Sequence, residues 1–368
     1  MLNEPAIRAY LLQYFRNVIR IDIRKLGSGV QGSGFLIEID TTEGVKSYVI
    51  KTLLSDGLGH DYPSDRAGVF LLDLDEFKNL PKHVKAIDVL SEMEDGSINS
   101  VGGGKEYYLL MERAEGRDYF LDLNELSDKN ELATADIEKI KIMASYLAQI
   151  HSLKKDSRTL YWRKLRDTVG HGECLMGVFD TYPDGTLPYE EMAEIIKKSV
   201  DRIMRLKPKY KRLSQIHGDF HPGNIWFKEA QSMEQMAGVQ AQRERSAPAA
   251  SDFILLDRSR GPWGEPADDV TALAINYIFF SIKHHGDVRG AYLAGLRMFF
   301  EEYIRESGDR EIKEVTAPFF AFRGAVVANP VFYPELTSGQ RRLIFRFIHN
   351  VLADDAFRPE KVNDYLSN

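Results

Sequence analysis

A glycine-rich segment at residues 27–34 constrains the fold of the chain through the residues that follow it. Apolar residues then alternate at Phe35, Ile37 and Ile39, which predicts one buried face of a β-strand. A dinucleotide-binding G-x-G-x-x-G motif would open a helix instead, so a Rossmann arrangement is disfavoured. Glycines let backbone amides approach phosphate groups without an intervening side chain. We therefore expect a phosphate-binding hairpin with contacts from Gly27, Ser28, Gly29, Gly32 and Gly34.

A second strand is predicted after a turn at residues 41–44. It ends in Tyr-Val-Ile-Lys at residues 48–51, which is similar to the kinase strand that presents a phosphate-pairing lysine. The two strands together favour a kinase-type hairpin, in which Lys51 positions the phosphates of ATP.

Residues 216–224 read Ile-His-Gly-Asp-Phe-His-Pro-Gly-Asn and place Asp219 five residues before Asn224. Kinase catalytic loops use this spacing, because the Asp accepts the proton of the attacking hydroxyl and the Asn holds Mg²⁺ against the phosphates. Two alternatives fit the same residues. The segment suits a polar turn, and His217, Asp219 and His221 could together form a metal cluster.

Asp257 follows a short apolar run at residues 253–256 that predicts a buried strand. Magnesium ions that bridge ATP phosphates need hard oxygen ligands from more than one part of a chain. Asn224 and Asp257 therefore form the predicted metal site. The alternative for Asp257 is a carboxylate that starts a turn.

The chain resembles the aminoglycoside phosphotransferase and choline kinase family of small-molecule kinases over most of its length. The family's H-G-D-x-H-x-x-N loop is present without a mismatch at residues 217–224, and Gly-Glu-Pro-Ala-Asp-Asp-Val at residues 264–270 is similar to the family's G-D-P-x-x-D-L. The resemblance implies an α+β, two-lobed protein-kinase-like fold: an N-terminal lobe with an antiparallel sheet and one main helix, and a mostly helical C-terminal lobe. It also implies that Asp269 accepts backbone hydrogen bonds from the catalytic loop. The alternative role for Asp269 is a helix N-cap.

A helix is predicted at residues 63–79, where an acidic side chain should face Lys51 across the nucleotide pocket. Asp65 is the first choice, because its distance from Lys51 in the sequence resembles the family spacing. Asp73 and Glu76 on the same helix are the alternatives.

The resemblance also places a hinge after the strand predicted at residues 107–112, where backbone groups of Arg113 and Ala114 would bond adenine. We expect residues 1–112 to form the nucleotide-binding lobe and residues 113–368 the lobe for catalysis and acceptor binding. A polar, Gln-rich segment near residues 229–251 is predicted to be a surface insertion, since it has too few large apolar residues for a core.

The composition narrows the class of protein further. A net charge of -7 and the lack of a basic tract give no reason to expect nucleic acid. No apolar run has the length of a membrane span, and the N-terminus lacks the apolar stretch of a secretory signal. Cys174 is the only cysteine, which excludes intrachain disulfides and suits a cytoplasmic protein.

These features predict an enzyme that uses ATP and Mg²⁺ to phosphorylate a hydroxyl of a small molecule. Gly218 stands where many protein kinases have Arg, and Asp-Arg-Ser at residues 257–259 replaces D-F-G, so no activation-loop switch is indicated. The alternatives are a nucleotide-binding pseudokinase that regulates a partner, and a metal hydrolase built on the His/Asp cluster.

The acceptor is less constrained by the sequence. An aminoglycoside requires clustered carboxylates and choline requires an aromatic cage, and residues 161–174, where the family inserts its acceptor-binding helices, have a mixed character. The charged side chains there, Lys164 among them, are expected to be solvated.

Overall fold

The computed structural model describes residues 2–28, 32–55, 60–76, 85–102, 114–228, 252–257 and 260–367. The chain forms two compact units, Met1–Met111 and Glu112–Asn368. The predicted α+β class is confirmed, with antiparallel strands in the N-terminal unit and mostly helices in the C-terminal unit. No helix within the described ranges is long and apolar enough to cross a membrane.

The N-terminal unit is built on a three-stranded antiparallel sheet in the order β1-β2-β3. The alternation predicted after the glycine-rich segment is confirmed, since Ile37 and Ile39 are buried in a core that also contains Ile7 and Ile23. The predicted helix begins at Pro63 as expected, and the last three residues of its predicted span lie outside the described ranges. The elements are α1 (Glu4–Tyr14), β1 (Val18–Ser28), β2 (Gly32–Thr41), β3 (Gly44–Leu53), α2 (Pro63–Glu76), β4 (Leu90–Glu92) and β5 (Ile98–Ser100).

The C-terminal unit packs its helices around α8, which is buried along most of its length. Short strands lie between α7 and α8 in the sequence and flank residues 216–224, the predicted catalytic loop, which is called the catalytic loop below. The elements are β6 (Arg117–Asp118), α3 (Tyr119–Asn124), α4 (Thr134–Ser152), α5 (Arg158–Gly170), α6 (Leu175–Asp180), α7 (Tyr189–Leu206), β7 (Ser214–Gln215), β8 (Ile225–Phe227), β9 (Phe253–Leu255), β10 (Trp263–Gly264), α8 (Ala267–His285), α9 (Gly290–Ser307), α10 (Ile312–Val315), α11 (Ala317–Ala328) and α12 (Ser338–Ala353).

The catalytic loop connects two small antiparallel sheets. At its start, β7 pairs with β10, and the amide of Ile216 donates to the carbonyl of Pro262 at 2.9 Å. At its end, a 3₁₀ turn at Pro222–Asn224 leads into β8, which pairs with both β6 and β9. The insertion predicted at residues 229–251 falls between β8 and β9, outside the described residues.

Candidate active site

Asp269 fixes the backbone of the catalytic loop. Its two carboxylate oxygens accept hydrogen bonds from the amides of His217 and Gly218, each at 2.7 Å, and the Asp269 residue is fully buried. The bracing contact that the family resemblance implied for this residue is therefore confirmed. Charge-assisted hydrogen bonds of this kind are about twice as strong as neutral ones, so they hold the loop firmly to the start of α8.

His151 is a further partner of the Asp269 carboxylate. Its Nε2 lies 3.2 Å from an Asp269 carboxylate oxygen, and its Nδ1 lies 2.8 Å from the hydroxyl of Tyr303. Because a carboxylate only accepts, Nε2 carries the proton, and in a neutral ring the Tyr303 hydroxyl donates to Nδ1. Burial raises the pKa of Tyr303 well above its usual value, which keeps the hydroxyl protonated as a donor.

Asp219 faces two arginines that come from distant parts of the sequence. Arg323 of α11 and Arg260 both donate to the same oxygen, Oδ1, the latter from Nη1 at 3.0 Å. Burial acts to raise the pKa of Asp219, but the two guanidinium groups outweigh it, so the pKa lies below its usual value. The second oxygen, Oδ2, receives no hydrogen bond from the described residues.

Arg323 also ties the loop to α8, and Asp268 of α8 is paired in turn with Lys164 of α5. Its Nη2 donates to the carbonyl of Gly218 at 2.9 Å and to Asp268 at 2.7 Å, and the other Asp268 oxygen pairs with Lys164 at 2.7 Å. Lys164 is buried, so the expectation that it is solvated was wrong. Burial disfavours the Asp268 carboxylate, yet Lys164 and Arg323 outweigh that effect and hold its pKa far below the usual range.

Gly218 is required by its backbone conformation. Its φ of +90° lies in the region that L side chains rarely adopt. A Cβ atom at this position would lie 3.4 Å from the Cβ of Arg260, an ordinary contact distance. In this conformation the carbonyl of Gly218, the glycine of the H-G-D motif, accepts a hydrogen bond from Arg323.

The predicted metal ligands, Asn224 and Asp257, lie next to the same end of the paired strands β8 and β9. Ile225 of β8 pairs with Leu255 of β9, and the amide of Leu256 donates a hydrogen bond to the carbonyl of Asn224 at 3.0 Å. The Asn224 side-chain amide donates to the carbonyl of Asp219 at 3.0 Å, which orients the carboxamide. Asp257 follows directly, is exposed, and has a φ of +50°.

The histidines of the loop have structural contacts. Nδ1 of His217 accepts the amide of Asp219 at 3.2 Å, and Nδ1 of His221 accepts the amide of Gly223 at 3.1 Å. Burial lowers the pKa of His221, so its ring is neutral with the proton on Nε2, 3.9 Å from Asp219 Oδ2. The described residues contain no group of three or more His, Cys, Asp or Glu side chains suited to a metal ion, which disfavours the metal-cluster alternative.

The predicted nucleotide contacts lie mainly on the β1–β2–β3 sheet. Gly34 pairs with Gly27 on β1 and with Lys51 on β3 across the antiparallel sheet, and Lys51 is exposed. Gly32 has no space for a side chain, because a Cβ would lie 1.8 Å from the carbonyl oxygen of Thr52. Ser28 is registered with Ser33.

The other predicted contacts have less structural support. The Asp65 carboxylate accepts the amide of Tyr62 at 2.7 Å, a contact that stabilises the start of α2. Its pairing with Lys51 stays a prediction. Ala114 begins the chain segment that leads to β6. Gly29 and Arg113 lie outside the described residues.

Three charged residues of the site were not predicted from the sequence: Arg260, Arg323 and Asp268. A signal for Arg323 was present, because it is the only charged residue of the apolar segment at residues 317–328. A buried arginine in such a helix must pair with a carboxylate, and Asp219 and Asp268 are its partners.

The comparison with protein families agrees with this geometry. A model of the phosphotransferase enzyme family, APH, matches residues 22–239, which include Lys51, Asp219 and Asn224. The match covers more than half of the chain. The chain therefore belongs to the phosphotransferase enzyme family, and the resemblance seen in its motifs is confirmed.

Comparisons with individual proteins add little. No curated protein matches the sequence significantly. Among solved structures, an ethanolamine kinase of Plasmodium vivax is 10% identical with a TM-score of 0.31, covering 97% of this chain and 84% of that one. A choline kinase of Cryptosporidium parvum is 13% identical with a TM-score of 0.31, at 94% and 86% coverage. An aminoglycoside phosphotransferase of Streptomyces rimosus is 13% identical with a TM-score of 0.34, at 87% and 98% coverage. At such TM-scores these likenesses support no argument about function.

Proposed function

We propose that this protein transfers the γ-phosphoryl group of ATP to a hydroxyl group of a small molecule. The observation that carries the proposal is the rigid catalytic loop. Asp269 holds its backbone, Arg323 and Arg260 hold one oxygen of Asp219, and the other oxygen is left for an acceptor. Phosphoryl transfer depends mainly on the positioning of the reacting groups and on electrostatic stabilisation. A loop whose backbone and Asp219 carboxylate are both held by hydrogen bonds provides that positioning.

In this proposal the acceptor hydroxyl binds to Oδ2 of Asp219. A bond forms between the hydroxyl oxygen and the γ-phosphorus as the bond to the bridging oxygen of ADP breaks, and the hydroxyl proton passes to the Asp219 carboxylate. Because the arginines lower the pKa of this carboxylate, it is a weak base, and orienting the hydroxyl is the larger part of its role.

The residues present suit a magnesium–ATP complex. Asn224 and Asp257 offer hard oxygen ligands next to the same end of the paired strands β8 and β9, which is the donor type that Mg²⁺ prefers. Bound Mg²⁺ neutralises charge on the phosphates during transfer. We assign Lys51 to positioning those phosphates, Gly27 to Gly34 to covering them, Asp65 to orienting Lys51, and the backbone at Arg113 and Ala114 to adenine. Residues 1–112 would then bind nucleotide, and residues 113–368 would bind the acceptor.

A coupled ADP-release assay with purified protein, ATP and MgCl₂ tests the proposal. Amino alcohols, aminoglycosides, hydroxy amino acids and sugars are compared with protein substrates. We expect magnesium-dependent ADP release that is stimulated by a small hydroxylated compound. Magnesium-dependent ATP binding without stimulation by any acceptor would instead favour the regulatory pseudokinase. A lack of ATP binding would overturn the kinase assignment.

A further inference from the structure

His221 presents a hydrogen-bond donor beside the oxygen of Asp219 that an acceptor must approach. Its Nδ1 accepts the amide of Gly223 at 3.1 Å, so the ring is neutral and its proton is on Nε2. This Nε2 lies 3.9 Å from Oδ2 of Asp219, which is too far for a direct hydrogen bond. Within the described ranges, no other group accepts a hydrogen bond from Nε2 or donates one to Oδ2.

Both atoms are accessible from outside the protein. The His221 side chain is 32% exposed and the Asp219 side chain is 12% exposed. The buried side-chain atoms that lack a hydrogen-bond partner in the described part of the chain include neither Nε2 of His221 nor Oδ2 of Asp219. Since these two atoms also lack a partner, each must have surface that solvent or a ligand can reach.

The position of the His221 ring is fixed by its neighbours. Besides the contact between Nδ1 and Gly223, the ring packs against Phe120, with ring centres 5.7 Å apart. Gly223 leaves space for both rings, because a Cβ there would lie 2.8 Å from Cε1 of His221 and 2.8 Å from Cε2 of Phe120. Oδ2 of Asp219 is fixed in turn, since two arginines hold Oδ1. The donor and the acceptor therefore keep a defined separation.

A hydroxyl group matches this pair of atoms. An oxygen can lie at about 2.8 Å from both atoms at once, because their separation of 3.9 Å is less than twice that length. The hydroxyl then donates its hydrogen to Oδ2 of Asp219 and accepts the Nε2 hydrogen of His221 with one lone pair, which leaves the other lone pair for the γ-phosphorus. An ammonium group has no lone pair for Nε2, so the pair of atoms selects a hydroxyl.

We infer that His221 is a catalytic residue that binds the acceptor: its Nε2 donates a hydrogen bond to the hydroxyl oxygen that attacks ATP, and with Asp219 it sets the direction of that oxygen. The inference rests on the proposed function and adds the residue that orients the acceptor. His221 keeps its proton, since the hydroxyl proton passes to Asp219 as the oxygen–phosphorus bond forms. Correct orientation of the reacting atoms is a main source of catalysis in phosphoryl transfer.

The alternative role of His221 is structural, because its side chain caps the 3₁₀ turn at Pro222–Asn224. Two substitutions separate the roles. His221→Asn keeps a good capping acceptor for the Gly223 amide but removes the Nε2 donor. His221→Gln has a longer side chain whose amide N–H can reach the acceptor, and glutamine is not among the preferred capping residues. A donor role predicts that the Gln variant is more active than the Asn variant, and a capping role predicts the reverse order.

The magnesium-dependent ADP-release assay with the full-length protein tests this, with ethanolamine, serine, glucose and kanamycin as acceptors. For each compound that stimulates the wild-type protein, His221→Asn should lower kcat/KM about tenfold or more, and His221→Gln should lower it less. The melting temperature of His221→Asn and its affinity for magnesium–ATP should equal the wild-type values. His284→Asn, at an exposed histidine in the last turn of α8, is the matched control and should change none of these values.

Each other outcome contradicts the inference. A kcat/KM for His221→Asn within a factor of about two of the wild-type value would show that His221 serves only as a cap, and it would leave the proposed function intact. A lower melting temperature or a weaker affinity for magnesium–ATP in His221→Asn would show that His221 acts through the conformation of the loop. If none of the four compounds stimulates ADP release, the proposed function fails for these acceptor classes and this inference fails with it.

Discussion

Replacing Asp269 by alanine should destabilise the protein through the catalytic loop. The change removes both acceptors of the His217 and Gly218 amides, which are bound at 2.7 Å in a fully buried position. A buried amide left without a partner costs about 1–3 kcal/mol, so two amides predict a loss of about 2–6 kcal/mol in the free energy of unfolding. His151 loses its carboxylate partner as well, which places the expected value in the upper part of that range.

Urea denaturation followed by circular dichroism measures this loss. Asp269→Asn keeps one acceptor oxygen and should give an intermediate value, because its amide group faces the second backbone amide as another donor. Asp355→Ala, at a residue whose side chain is 93% exposed, is the control and should match the wild-type protein. A loss below about 1 kcal/mol for Asp269→Ala would refute the view that these two hydrogen bonds hold the loop.

Three further substitutions test individual parts of the site. Arg323→Met removes a cation beside Asp219 and so raises the pKa of this carboxylate. The acid limb of the pH–kcat/KM profile should therefore move to higher pH. Arg323→Lys keeps the positive charge and should move the acid limb less. In the wild-type protein the pKa of Asp219 is lower in the folded state than in the unfolded state, so the ionised carboxylate stabilises the fold at pH values above the unfolded-state pKa. This stabilisation is lost as the pH falls through the folded-state pKa. Measuring the free energy of unfolding at decreasing pH follows the loss. Gly218→Ala should cost about 1–2 kcal/mol in urea denaturation, because its φ of +90° lies in the region that L side chains rarely adopt. Asp257→Ala should weaken magnesium-dependent ATP binding, measured by calorimetry with and without MgCl₂, and an unchanged dependence would exclude Asp257 as a ligand.

The local parts of the fold could be predicted from the sequence, whereas the roles of the site residues stay predictions. The spacing of Asp219 and Asn224 predicts the loop because both side chains lie within one turn-rich segment, whose conformation the intervening residues determine. The strand after the glycine-rich segment was predictable for the same reason, since the alternation of Ile37 and Ile39 is a local pattern with a period of two. Asp269 was found through a motif rather than through physical reasoning about its contacts.

The charge network was not predictable in the same way. Arg323 is separated from Asp219 by 104 residues, and their contact depends on how α11 packs against the other helices. Lys164 was expected in water because lysines are usually exposed, and it is buried because Asp268 pairs with it. In both cases the energetic reason is tertiary: a buried charge needs a partner, and the sequence does not say which one lies close by.

Asp219→Asn tests the central claim most directly. The change keeps the shape of the side chain but removes the negative charge that orients the acceptor hydroxyl and receives its proton. Once an acceptor has been identified, stopped-flow or coupled ADP release should show kcat lower by about two to four orders of magnitude, with the affinity for magnesium–ATP nearly unchanged. Turnover by the variant within a factor of about three of the wild-type rate would contradict the assignment of Asp219 as the residue that receives the hydroxyl proton.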